Sequence, residues 1–156
     1  MSDKTVFIRQ TAPALFAQLA ADTPPRWGKM SAQHMIEHLS GVFYLAWHPE
    51  KGYCVNEGAA LEKALAFLWS DRAFRQNTKA PGLPDEPLPL RFADLDTALA
   101  QLLRNIDAFY AFFEAAPDRG SLHPVFGMLD LAGWEQFHDK HLRHHLTQFG
   151  LLEEAA

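Results

Sequence analysis

The chain has 156 residues, 48% of them hydrophobic, and carries 14 Lys and Arg against 19 Asp and Glu for a formal net charge of −5. That length suits one domain with one core, so residues 1–156 are expected to fold as a single unit, and the thin scatter of cations leaves no basic stripe to neutralise phosphates, which sets nucleic acid aside as a partner. No apolar run approaches the ~20 residues of a membrane span and Met1 to Gln10 lacks the plan of a signal peptide, so no membrane partner and a cytoplasmic location are expected.

Taken in chain order, Thr11 to Asp22 sets Leu15, Phe16 and Leu19 at helical spacing and stops at Thr23-Pro24-Pro25, where a proline pair ends a helix. Ser31 is a good N-cap for a second helix running to about His48, just before Pro49, with Met35, Leu39, Val42 and Ala46 on its core face. The lone cysteine, Cys54, has no intrachain partner for a disulfide, which fits a reducing compartment. Residues 59 to 75 form a less regular helical piece, read as a crossover, with Leu61, Leu65 and Leu68 on one side. Between Ala80 and Pro89 four prolines forbid a helix and favour extended chain.

From Asp94 to Ala116 the pattern of Leu95, Ala98, Leu99, Leu102, Ile106, Phe109, Tyr110 and Phe113 marks a strong amphipathic helix, closed by Pro117 and Gly120. Asp130 caps a last helix reaching about Phe149, with Gly150 placed for a left-handed stop. No alternating strand pattern is present. Four main helices and an irregular insertion predict an all-α bundle.

Histidine is the unusual residue, present eight times with four copies between His138 and His145. At ~100° per residue, His138, His141 and His145 fall within about 60° of one another. Leu131, Trp134, Leu142, Leu146 and Phe149 share that side, while Asp139, Lys140, Arg143 and Thr147 lie opposite. His141 and His145, four apart on one face, have the spacing at which two ring nitrogens converge on one ion. The second helix offers His38 and His34, also four apart. The same count sets His38 on the flank of the apolar face and His34 further toward the polar side, which favours His38. His138, one turn before His141, is read as an outer partner of the ligands, with a fourth ligand or a surface-edge residue as alternatives.

Three separated segments carry a resemblance: Trp27-Gly28-Lys29-Met30-Ser31 followed by Ala32-Gln33-His34-Met35-Ile36-Glu37-His38-Leu39, then His123-Pro124-Val125-Phe126-Gly127, then Lys140-His141-Leu142-Arg143-His144-His145-Leu146-Thr147-Gln148-Phe149-Gly150. Together they resemble the DinB-like superfamily, and more narrowly a bacterial branch of it known mainly as a domain of unknown function. The resemblance covers nearly the whole chain. It implies an up-up-down-down four-helix bundle in which one histidine of the second helix and two of the last bind a metal, commonly nickel or zinc. Carried over by motif, those ligands are His38, His141 and His145. Relatives in the superfamily include thiol S-transferases and a thiol-dependent isomerase, which brings in a low-molecular-weight thiol as an implied cofactor, although no residue here identifies a thiol site. It also implies a homodimer, for which Phe67 to Phe74 offers apolar surface. The His123 segment is expected either to shape the mouth of the pocket or simply to turn the chain into the last helix.

The expected function is therefore a metal-dependent enzyme, transferase-like or hydrolase-like, in which three neutral imidazoles hold Ni or Zn, with Fe or Mn as further candidates, and leave positions open for water or thiol. His123 and His138 are the candidates for a proton relay. The competing expectation is a non-enzymatic binding or stress-response bundle with a structural metal. Because only neutral imidazole ligates, the stabilisation a metal confers is expected to fade below pH ~6.5.

Overall fold

The computed structural model describes residues 1–154 and is predominantly helical. Helix α1 is a continuous rod of three pieces, Asp3–Val6, a π-helical turn Phe7–Thr11, and Ala12–Phe16. It is followed by α2 (Ala32–Ala46), α3 (Gly58–Leu68) and α4 (Leu95–Ala115), then by a short hairpin of β1 (Ser121–His123) and β2 (Gly127–Leu129), and last by α5 (Leu131–Gln148).

Three of these helices begin where a short polar side chain precedes an apolar run. The side chains of Ser31, Asp94 and Asp130 each accept from the backbone N–H three residues on, at His34, Thr97 and Gly133, satisfying one of the donors that a helix start leaves unpaired. α1 departs from the sequence expectation. It starts eight residues earlier than Thr11, because Ser2 caps it through Thr5 N–H, and it ends at Phe16 rather than Asp22. Its inward residues are Phe7, Ile8, Ala12 and Phe16. The wide turn between the two α pieces accommodates Pro13, whose ring would crowd a carbonyl four residues back in a regular helix.

The hairpin is the second departure, since no strand was expected. Its strands are three residues long, too short to show an alternation. Ser121 pairs with Leu129 and His123 with Gly127. The turn between them closes at Gly127, whose φ of +75° lies in the left-handed region that glycine enters without steric cost.

Packing follows the apolar faces. α2 lies most extensively against α4, while α5 meets α1, α2 and the hairpin. Phe43 of α2, Phe109 and Phe113 of α4 and Trp134 of α5 are almost wholly buried in one continuous core, which Phe16 of α1 joins. Phe67 and Phe74 pack against this core and against each other, leaving Trp69 as the exposed aromatic of that stretch. Lys140 is a third correction. Far from facing solvent, it is buried, and its ammonium donates to the carbonyls of Ser70 and Arg72, pinning the chain beyond α3 onto α5. Among the described residues no helix is long and apolar enough to cross a membrane.

Candidate metal centre

Where α2 crosses α5, three imidazoles converge. Nε2 of His141 lies 3.1 Å from Nε2 of His38 and 3.1 Å from Nε2 of His145, and one ring nitrogen from each of the three falls within 4.8 Å of the others. On one ion with metal–nitrogen bonds of ~2.0–2.1 Å, ligand nitrogens sit roughly 3.0–3.4 Å apart. The donor set and its spacing fit a divalent transition ion, so the three histidines could hold a metal.

The helices themselves produce the convergence. On α5, His141 and His145 are four residues apart on the face that also buries Trp134, Leu142 and Leu146, so both rings point inward. On α2, His38 lies beside Met35 and Leu39 of the buried face and is itself half-buried, the least buried of the three. His34 stays out of it. The Nδ1 atom of His34 meets Ser31 N and Oγ at 3.2 and 2.8 Å, closing a capping box at the start of α2. Glu37 is committed elsewhere as well, its carboxylate accepting from the backbone N–H groups of Arg91 and Phe92 at 2.7 and 3.4 Å.

Burial sets the protonation state. It pushes His38 down to about 4, with the nearby His144 adding a smaller push in the same direction. His141 and His145 are held well below the ordinary histidine value, again mainly by burial and then by their histidine neighbours. Charging an imidazole in a poorly solvated place is unfavourable, so all three are neutral at pH 7, the form that ligates.

His138 and His123 sit apart from this convergence. His138 is fully enclosed, its ring flat against Phe43 and stacked on Trp134, and its Nε2 has no hydrogen-bond partner. His123 turns Nδ1 to the backbone N–H groups of Val125 and Phe126, at 3.0 and 3.3 Å, and so holds the hairpin turn together. Burial pushes it down to about 3. Its ring packs on Phe137, which in turn stacks on His141. Among the described residues neither histidine hydrogen-bonds to His38, His141 or His145. His144, half-buried, lies between the rings of Trp27 and Phe74 beside the group.

The residue that sequence reasoning passed over is Gln148. It is buried, its Oε1 lies 2.7 Å from Nδ1 of His145, and its amide nitrogen donates to the carbonyl of Trp27 at 3.0 Å. Its position three residues beyond His145 on the inward face was the available signal. A surface concavity of about 370 Å³ lined by Leu65, Trp69, Met128 and Gly133 contains none of the histidines.

A mainly helical chain with an inward three-histidine group of this spacing defines a candidate metal-binding protein. Residues 60–151, more than half of the chain, match the model of a family described as a protein of unknown function, DUF1569, and the chain belongs to that family. The matched stretch contains His141, His145 and Gln148 and stops short of His38. Neither a curated protein nor a solved structure matches the chain.

Proposed function

We propose that the protein is a metal-dependent enzyme built as a DinB-like four-helix bundle, in which His38, His141 and His145 hold one divalent transition ion, Ni or Zn foremost, through their Nε2 atoms. The observation that carries this reading is the pair of 3.1 Å contacts at His141 Nε2. A neutral imidazole nitrogen bears at most one proton. Both contacts therefore cannot be linear hydrogen bonds: if His141 donates to one neighbour it faces the other's lone pair, and if His38 donates to His141, two lone pairs face each other at His145. Three lone pairs directed at one cation remove the conflict.

Three protein ligands leave coordination positions free, the arrangement of catalytic rather than closed structural sites. When bound, such an ion supplies Lewis acidity that makes a water or a thiol an available nucleophile near neutral pH. Burial keeps the ligands neutral, Phe74 and Phe137 pack against His141, and His38, the least buried of the three, marks the side from which a substrate would approach. This supports a transferase-like or hydrolase-like reaction, with a small thiol as a candidate co-substrate.

The test is metal uptake by untagged full-length protein, followed by absorption spectroscopy of the cobalt-loaded form on adding a low-molecular-weight thiol. Stoichiometric uptake and a new thiolate-to-cobalt absorption are expected. Absence of uptake of Zn, Ni, Fe or Mn at micromolar concentration overturns the reading, and uptake into a four-ligand site that resists every exogenous ligand points to a structural metal instead.

A further inference from the structure

We infer that Gln148 is a positioning residue: it fixes His145 as the Nδ1–H tautomer and thereby holds its Nε2 lone pair toward His38 and His141. The inference rests on the three-histidine reading and goes beyond it by assigning the control of one ligand to a side chain outside the group.

The Gln148 amide has one favourable orientation. The Gln148 nitrogen donates to the Trp27 carbonyl at 3.0 Å, which leaves the side-chain oxygen, an acceptor, facing His145 Nδ1 at 2.7 Å. A flipped amide would set its NH₂ against the imidazole and its oxygen against a carbonyl oxygen, losing the Trp27 bond and setting two acceptors face to face. The surroundings keep the amide in place. Arg26 N donates to the backbone carbonyl of Gln148 at 2.7 Å, stitching the loop before α2 to the end of α5. Gly28, at φ +83°, brings its Cα so close that an added Cβ would meet the Gln148 amide nitrogen at 3.0 Å. With oxygen as the only group offered to it, His145 Nδ1 carries the proton and Nε2 is bare.

The other α5 ligand lacks this support. Nδ1 of His141 is buried without a hydrogen-bond partner. Of the two α5 ligands only His145 thus has a polar partner behind it, and an acceptor behind a ligating imidazole typically raises metal affinity about 10–100-fold.

The experiment compares wild type, Gln148→Leu and Gln148→Glu as full chains, with two readouts. The first is zinc affinity by competition with a chromophoric chelator. The second is the His145 tautomer in metal-free protein, from side-chain nitrogen shifts. Leu removes both arms of the contact, whereas Glu keeps the acceptor toward His145 and loses the donor toward Trp27. Expected are a wild-type Nδ1–H tautomer, a mixed or Nε2–H tautomer in Gln148→Leu with zinc affinity lower by about 10–100-fold, and recovery of the Nδ1–H tautomer in Gln148→Glu, whose second oxygen meets the Trp27 carbonyl. If Glu loses the Nδ1–H tautomer as Leu does, the residue acts only by bracing the Trp27 loop and the inference is overturned. Unchanged affinity and tautomer in Gln148→Leu overturns it too. A wild-type chain that takes up no zinc sinks the metal reading itself, a result distinct from the other two.

Discussion

The imidazole of His138 lies flat on the ring of Phe43, centroids 3.6 Å apart and planes within 8° of parallel. With Trp134 stacked on it and Phe109 edge-on, this histidine occupies an aromatic cage and leaves Nε2 unsatisfied. An unpaired buried polar atom costs about 1–3 kcal/mol relative to an apolar group of similar shape. His138→Leu should accordingly be as stable as wild type or more stable by ~1–2 kcal/mol in urea unfolding, with zinc affinity intact. Loss of zinc binding in this variant would mean that His138 supports the ligands after all.

The proposed ligand set and its near neighbour should separate cleanly. His38→Ala, His141→Ala and His145→Ala should each lower zinc affinity by more than the ~100-fold upper end typical of an outer partner, with helical circular dichroism retained because the core does not depend on a metal for folding. His34→Ala removes half of the capping box, so it should cost about 1 kcal/mol of stability and leave zinc affinity unchanged. Calorimetric titration of the four variants decides the matter, and equal loss at positions 34 and 38 would show the wrong helix-two ligand.

Acid should destabilise the metal-free protein through its buried histidines. A group whose folded pKa is depressed contributes stability above its unfolded value and loses it as pH falls toward the folded one. For His123, pushed from 6.5 to about 3, that amounts to a loss on the order of 4 kcal/mol between pH 6.5 and 3. His38, His138, His141 and His145 act in the same direction. Urea midpoints should drop steadily between pH 7 and 4, and a flat profile would contradict the burial of these rings.

Burial also corrects the expectation that metal stabilisation fades below pH ~6.5. That figure belongs to the unfolded chain. Protons compete for the folded metal-free site, where His38 titrates at about 4. The difference in melting temperature between zinc-loaded and metal-free protein should therefore persist at pH 5.5 and collapse only toward pH 4. A gap already closed at pH 6 would show that the histidines are more solvated than the structure has them.

Gly28→Ala strains a left-handed backbone and presses a methyl against the Gln148 amide nitrogen. A β-carbon in that conformation costs about 1–2 kcal/mol. The variant should also weaken zinc binding, a residue with no contact to the ion acting through its effect on Gln148. Gly41→Ala, where an added Cβ meets nothing within 4 Å, is the control and should do neither.

Several features were readable in the sequence because their causes are local. Ser31, Asp94 and Asp130 announce helix starts through one side-chain oxygen, and the α5 histidine stripe follows from helical pitch alone. His38 over His34 was legible from the angular position of the apolar face. The rest depended on partners distant in sequence. Lys140 looked solvated until the carbonyls beyond α3 closed over it, and Gln148 resembled any amide near a helix end until the Trp27 carbonyl arrived opposite. The hairpin escaped because His123 builds its turn with a ring nitrogen, a contact that no strand pattern encodes.

The π-helical turn of α1 has a consequence for how this chain tolerates a change in length. Ala12 N–H reaches back five residues to the carbonyl of Phe7, so the turn amounts to one residue inserted into an α-helix without rotating Phe7 and Ile8 away from Ala12 and Phe16. Deleting the exposed Gln10 would regularise the helix and keep those four side chains facing the core, but it would also drive the Pro13 ring into a carbonyl one turn earlier, at a cost of ~3 kcal/mol. Deletion alone should be damaging, and deletion combined with Pro13→Ala should be accepted. The proline is thus tolerated only while the extra residue remains.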